Sequence, residues 1–106
     1  MSDWRDPIHP GEILAEELDA IGMSAVELAR RLGVPDNRIY QIVHGKRSIT
    51  ADTALRLGKF FNTTAEYWLN LQKLYELDVA RQEVSDVVAL IQPFRASPTV
   101  PAAIIS

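Results

Sequence analysis

The 106-residue sequence contains no cysteine. This absence excludes a disulfide framework, a thiol nucleophile and thiolate zinc ligands, and it is typical of a protein in a reducing compartment. No apolar run approaches the roughly 18 residues of a membrane span. The first residues, MSDWRDP, are polar and acidic, unlike a secretory signal peptide. We therefore expect a cytoplasmic protein that has no membrane partner.

Histidine is also scarce, since His9 and His44 are the only two. They belong to different predicted elements, and no third residue at ligand spacing accompanies them. The sequence offers no nucleophile with a base and an orienting partner either. We therefore predict no metal site, no cofactor and no enzymatic activity. For His9, which precedes a predicted helix, helix capping or packing is the favoured interpretation.

Charge is unevenly distributed along the chain, whose formal net charge is −3. Between residues 24 and 64, seven cations face three anions, so this segment is basic and the rest of the chain is acidic. Such a distribution indicates one face for phosphates and other faces for a different partner. An ordinary solvated charge pattern is the alternative interpretation.

The segment from Val26 to Arg47 predicts two short helices joined by a tight turn. Gly33 stands where a helix ends in a left-handed residue, and Pro35 suits the start of the next helix. Apolar residues recur at helical spacing, at Leu28, Ala29 and Leu32 in the first helix and at Ile39, Ile42 and Val43 in the second. A steep helix pair with glycine in its turn is the helix-turn-helix arrangement, whose second helix enters the major groove of DNA.

Serine and threonine residues mark the predicted helix starts. Ser24 with Glu27 forms a capping box for the second helix, and Thr63 with Glu66 forms another for the fifth. Thr50 is predicted to cap the fourth helix.

This segment resembles the phage-repressor-like (XRE, Cro/cI-type) helix-turn-helix, and its flanks extend the resemblance. The sequence carries HPGEIL at 9–14, ITADTALRL at 49–57 and AEYWLNLQ at 65–72. Together these motifs resemble the HigA-type (VapI-like) antitoxin family over roughly residues 7 to 83. The resemblance implies an all-α, five-helix domain over residues 9–83, including a dimerising fifth helix. Residues 1–8 would then form an arm, and 84–106 a C-terminal extension that is partly disordered or docked on a partner.

The second helix of the motif carries the predicted base contacts, which are Asn37, Arg38, Tyr40 and Gln41. Asn37 and Gln41 lie four residues apart and share a face, and their amides can pair with adenine. Arg38 suits guanine or a phosphate. Asp36 can accept from cytosine, or it can serve as an anion at the helix start, which is the favoured interpretation.

Contacts to the DNA backbone are expected on both sides of that helix. Cations, hydroxyl groups and helix N-termini are the groups that bind phosphates. The predicted phosphate contacts are Ser24, His44, Lys46, Arg47, Ser48 and Thr50. Family members commonly have glutamine where this chain has Ala25, which removes one side-chain donor.

The fifth predicted helix is apolar over more of its circumference than one small core requires. We therefore predict a dimer interface at Trp68, Leu71, Leu74 and Tyr75. Beyond it, the run from Val87 to Ile91 is consistent with a strand paired across a dimer or with a toxin, or with a last helical turn.

The resemblance implies an antitoxin of a type II toxin–antitoxin pair. Such a protein binds operator DNA as a homodimer, represses its own operon and neutralises a small basic RelE-like (HigB-type) ribonuclease toxin. The arm, the acidic side of the first helix and the C-terminal region are candidate toxin contacts. The alternative is a stand-alone XRE-type transcriptional regulator without a toxin, and a helical interaction module without DNA binding is a further one.

Overall fold

The structure is a computed structural model that describes residues 6–94. It contains five α-helices, and no strand occurs within this range. The helices are α1 (Pro10–Ile21), α2 (Ala25–Leu32), α3 (Asp36–Val43), α4 (Ala51–Phe61) and α5 (Ala65–Ala89). The predicted all-α, five-helix class is therefore confirmed. Residues 1–5 of the predicted arm and residues 95–106 of the predicted extension lie outside the described residues.

Helix α2 begins and ends where the sequence predicts, and α1 ends in the same way. Gly22 and Gly33 adopt left-handed conformations, with φ of 65° and 76°, directly after α1 and α2. The hydroxyl of Ser24 accepts a hydrogen bond from the backbone N–H of Glu27 at 3.1 Å. Local chemistry thus sets the ends of these helices, because each signal acts within one turn.

Two predicted caps differ from the structure. Thr50 occupies the N-cap position of α4, but its side chain makes no capping hydrogen bond. Helix α5 is capped by Thr64, whose hydroxyl accepts from the N–H of Tyr67 at 3.1 Å. The neighbouring hydroxyl of Thr63 instead accepts from the indole N–H of Trp68 at 3.0 Å. Burial of Trp68 therefore moves the cap by one residue, because a buried indole N–H needs an acceptor.

All five helices contribute to a single hydrophobic core. Two glycines let backbones approach closely: a Cβ on Gly11 would overlap the carbonyl oxygen of Ile42, and one on Gly58 would lie 3.0 Å from the backbone nitrogen of Ala65. The buried apolar residues of this core include Leu14, Leu18, Leu28, Ala29, Leu32, Ile39, Ile42, Ala54, Leu57 and Trp68.

Helix α5 is the longest element, with 25 residues. Its first half packs against α4 and α1. After Asp78, nearly every residue of α5 is exposed. The helix continues without interruption past residue 84, so no break in secondary structure separates the predicted domain from its extension. Residues 87–89 are helical, and the strand interpretation of this run is wrong.

Candidate nucleic-acid interface

The helix-turn-helix fixes α3 against the body of the molecule. The backbone N–H of Val34 donates to the carbonyl of Ala29 at 3.0 Å, which closes the turn after α2. Ile39 and Ile42, on the inner face of α3, are completely buried. With one face held by the core, the opposite face of α3 lies on the surface.

The surface face of α3 carries Asn37, Tyr40, Gln41 and His44. Asn37 is exposed, and its side chain makes no hydrogen bond to the described part of the chain. The side-chain oxygen of Gln41 accepts from Nε of Arg47 at 2.9 Å, which leaves its amide N–H groups free to donate. Tyr40 is 51% exposed. This face presents amide and phenol groups of the kinds that read base edges.

Arg38 differs from the expectation that it faces the DNA together with these residues. Its side chain is only 25% exposed, and its Nη1 lies 3.6 Å from Oδ2 of Asp52 on α4. Its Nε is buried and has no hydrogen-bond partner in the described part of the chain. The structure therefore places Arg38 at the junction of α3 and α4.

His44 stacks on Tyr40, with ring centroids 4.1 Å apart. Its Nδ1 lies 2.9 Å from the backbone carbonyl oxygen of Tyr40. Because a carbonyl can only accept, this contact assigns a proton to Nδ1. In this neutral tautomer Nε2 carries no proton, so it is an acceptor and not a donor.

The loop between α3 and α4 brings cations beside the reading face. Gly45 turns the chain with φ of 74°, and Lys46, Arg47 and Ser48 follow it in exposed positions. Lys46 has no ion-pair partner among residues 6–94, and Arg47 contacts an amide and no carboxylate. Both cations keep the positive charge that a phosphate would neutralise.

Two hydroxyl groups stand at helix N-termini. Ser24 and Thr50 precede α2 and α4, whose first backbone N–H groups lack intrahelical partners. The Thr50 hydroxyl makes no capping hydrogen bond, and its O–H can donate to an anion. Oriented N–H groups at a helix start favour anions. These two ends are the structural basis for the predicted phosphate contacts there.

Asp36 lies in the first turn of α3, and its carboxylate is 3.4 Å from Nη2 of Arg30. Both side chains are largely exposed, so the pair contributes little to stability. This position agrees with the interpretation of Asp36 as an anion at a helix start.

Two polar contacts that were not predicted from the sequence support the interface. The Gln72 side chain, which is buried in α5, accepts from the N–H of Ile49 at 2.8 Å and anchors the end of the loop before α4. Nε of Arg56 donates to both carboxylate oxygens of Asp52 at 3.2 Å. The spacing of Asp52 and Arg56, four residues apart, was the signal that could have found the second contact.

The predicted dimer residues do not share one environment. Trp68 is 1% exposed in the single chain, so its side chain has no area left for a second copy, and its assignment to the dimer interface is corrected. It packs in the core, where its indole N–H donates to the hydroxyl of Thr63. Leu71 and Tyr75 are half-buried, and Leu74 is 46% exposed.

Two other classes of site can be checked over the described range. No helix there is long and apolar enough to cross a membrane. Among the same residues, no three His, Cys, Asp or Glu side chains are grouped so that they could hold a metal ion.

Comparison with known proteins agrees with this geometry. A family model described as helix-turn-helix matches residues 14–68. Virulence-associated protein I of Dichelobacter nodosus is 49% identical over 85 residues, which are 79% of this chain and 79% of that protein.

Solved structures give the same result. An addiction module antidote protein of a HigA family from Coxiella burnetii is 52% identical, with a TM-score of 0.81 over 85% of this chain and 100% of that chain. The Pseudomonas aeruginosa antitoxin HigA, solved with the higBA promoter, is 42% identical, with a TM-score of 0.80 over 84% of this chain and 99% of that chain. This chain therefore belongs to the XRE-type helix-turn-helix proteins and, within them, to the HigA-type (VapI-like) antitoxin family.

Proposed function

We propose that this protein is the antitoxin of a type II toxin–antitoxin pair. It binds operator DNA as a homodimer, represses its own operon and neutralises a small basic RelE-like (HigB-type) ribonuclease toxin. The observation that carries the DNA-binding part is the surface of α3 and the following loop. There, the side-chain amide of Asn37 and the amide N–H groups of Gln41 stand beside the cations of Lys46 and Arg47.

The assignment of residues to base contacts and to phosphate contacts follows from the chemistry of their side chains. Asn37, Gln41 and Tyr40 read base edges, because their amide and phenol groups point to solvent from one helix face. Lys46, Arg47, Ser48 and the N-termini at Ser24 and Thr50 hold phosphates. The Pseudomonas relative, which was solved with a promoter, supports DNA binding by analogy.

The dimer is proposed to form through the exposed second half of α5. This part of the helix has little contact with the rest of the described chain, yet it carries an apolar face. Seven residues share that face, at Leu77, Ala80, Arg81, Val84, Ser85, Val88 and Ala89. We call these residues the α5 stripe. A second copy of the chain would cover it and place two α3 helices on adjacent half-sites about one helical turn apart.

The toxin is proposed to bind an acidic surface. Helix α1 exposes Glu12, Glu16, Glu17 and Asp19, all of them on its solvent side. A ribonuclease that binds messenger RNA must itself be basic, so charge complementarity favours this face of the antitoxin. The surface lies on a different helix from α3, so both partners have separate sites.

The first test is a titration of purified protein against a duplex from its own upstream region, at two salt concentrations, with a scrambled duplex as control. We expect tight, salt-sensitive binding that prefers the native sequence. The double change Asn37→Ala and Gln41→Ala should cost about 1–3 kcal/mol of specific binding per lost base pair contact. The matched control is Asn70→Ala, which removes an exposed amide from α5. A native preference that survives the double change would contradict the base-reading assignment.

Toxin neutralisation is tested by co-expression with any small basic protein that is encoded beside the gene. The antitoxin should restore growth and co-purify with that protein. The pair Glu16→Lys and Glu17→Lys should weaken the complex while operator binding persists. Operator binding without any toxin complex would leave the protein a stand-alone regulator.

A further inference from the structure

Arg38 is the residue of the recognition helix that the structure holds back from solvent. Arginine is the commonest reader of guanine and a frequent phosphate ligand. Its neighbours Asn37 and Tyr40 are exposed, whereas the Arg38 guanidinium turns toward α4 and lies 3.6 Å from the Asp52 carboxylate. In this position its guanidinium is already paired with a carboxylate of the protein.

Asp52 is itself fixed in place by Arg56. Nε of Arg56 donates to both oxygens of the carboxylate at 3.2 Å. Nη1 of Arg56 donates to the carbonyl of Leu32 at 2.7 Å, so the same side chain also binds the end of α2. The carboxylate therefore stands between two guanidinium groups, at the point where α2, α3 and α4 meet.

Stability alone does not account for this arrangement. Asp52 is more than half exposed, and ion pairs of such residues contribute little to folding. Nε of Arg38 is buried without an acceptor among the described residues, which opposes burial of the side chain. The pair does hold the guanidinium of Arg38 beside α4, away from the exposed side chains of Asn37 and Tyr40.

We propose that Asp52 is a positioning residue for specificity, which withholds Arg38 from DNA. The inference rests on the proposed DNA-binding function. A free cation at Arg38 would add attraction to phosphates of any sequence and would lower the preference for the operator. With Arg38 held against Asp52, discrimination between base sequences depends on the amides of Asn37 and Gln41.

The test is a cycle of Asp52→Asn, Arg38→Gln and the double variant, assayed by salt-dependent titration with operator and scrambled duplexes. Asp52→Asn should steepen the log–log salt slope by about 0.9, the value for one additional phosphate contact, and should raise affinity for the scrambled duplex. Arg38→Gln alone should leave the slope and the sequence preference unchanged. The double variant should return the slope to that of the wild type.

The matched control is Asp36→Asn, which removes an exposed carboxylate from α3 and releases Arg30 in place of Arg38. If the salt slope steepens equally in Asp36→Asn, or if the steepening persists in the double variant, loss of a negative charge explains the effect. The proposal is then overturned. Loss of operator preference in Arg38→Gln overturns it as well, while the proposed function stands. A wild-type protein without preference for its operator overturns the proposed function instead. Thermal unfolding of each variant verifies that all of them are folded.

Discussion

Gly11, in the first turn of α1, is the point where that helix passes against the end of α3. A Cβ at this position would overlap the carbonyl oxygen of Ile42, and both groups belong to the backbone. Neither can move without shifting a helix. The absence of a side chain at Gly11 thus sets how closely α1 supports the recognition helix.

Gly11→Ala should therefore destabilise the fold by about 1–3 kcal/mol or more, the usual cost of overpacking. Helix propensity alone predicts the opposite sign, because alanine is favoured over glycine by about 1 kcal/mol in helix interiors. Urea unfolding measures the change, with Glu12→Ala as the control at the adjacent exposed position. A variant as stable as the wild type would show that α1 and α3 can separate freely.

His9 combines two structural roles at the start of α1. Its Nδ1 accepts from the backbone N–H of Gly11 at 2.9 Å, and its ring packs edge-on against Tyr75 at 4.8 Å. The sequence-based interpretation of capping or packing is thereby confirmed in both its forms. Burial lowers the pKa of His9 below its usual 6.5, with a smaller opposing influence from Glu12.

This lowered pKa makes stability depend on pH. In the window below about pH 6.5, the unfolded chain binds a proton that the folded state resists, so the free energy of unfolding falls as the pH falls. His9→Asn keeps a capping side chain but cannot titrate. Urea unfolding between about pH 7.5 and about pH 5.5 should show a shallower loss of stability in the variant. Equal pH dependence in the two proteins would contradict the role of His9, since their other titrating groups are the same.

At the scale of elements, the sequence predicted those features that depend on residues within about one helical turn of each other. The ends of α1 and α2 follow from Gly22, Ser24 and Gly33, because left-handed glycines and capping hydroxyls act on their immediate neighbours. The apolar spacing of α2 and α3 likewise predicted the pair of helices and its buried face. The basic loop after α3 was also found from sequence.

Features that depend on contacts between distant residues were not predicted. Arg38 is withdrawn by Asp52, which lies on another helix, and the spacing within α3 carries no sign of this. Trp68 was assigned to a dimer because it is large and apolar, but α4 and Thr63 enclose it within one chain. The end of α5 was left open between strand and helix, since β-branched residues favour strands locally. No glycine or proline interrupts the chain between Thr64 and Pro93, and the helix continues.

At the scale of the whole molecule, α5 gives the chain an elongated shape, with extents of 53 × 29 × 22 Å. The core and the DNA-facing helix lie in the body, which the first half of α5 completes. The second half of α5 projects from that body with its apolar α5 stripe uncovered. An exposed apolar face of this kind marks an interaction site, and symmetric pairing is the commonest form of association.

Val84→Glu places a charge in the middle of the α5 stripe and should convert the proposed dimer to a monomer, as measured by sedimentation. Two half-sites would then be bound independently, so affinity for the full operator should fall by about 100-fold or more. Affinity for a single half-site should remain unchanged, because α3 and its loop are packed on the body. Val84 lies on the part of α5 that projects from that body. Glu83→Gln alters a neighbouring exposed position outside the α5 stripe and should affect neither measurement. If Val84→Glu remains dimeric with full operator affinity, the two copies meet elsewhere, and the half-buried Leu71 and Tyr75 with Leu74 become the surface to test.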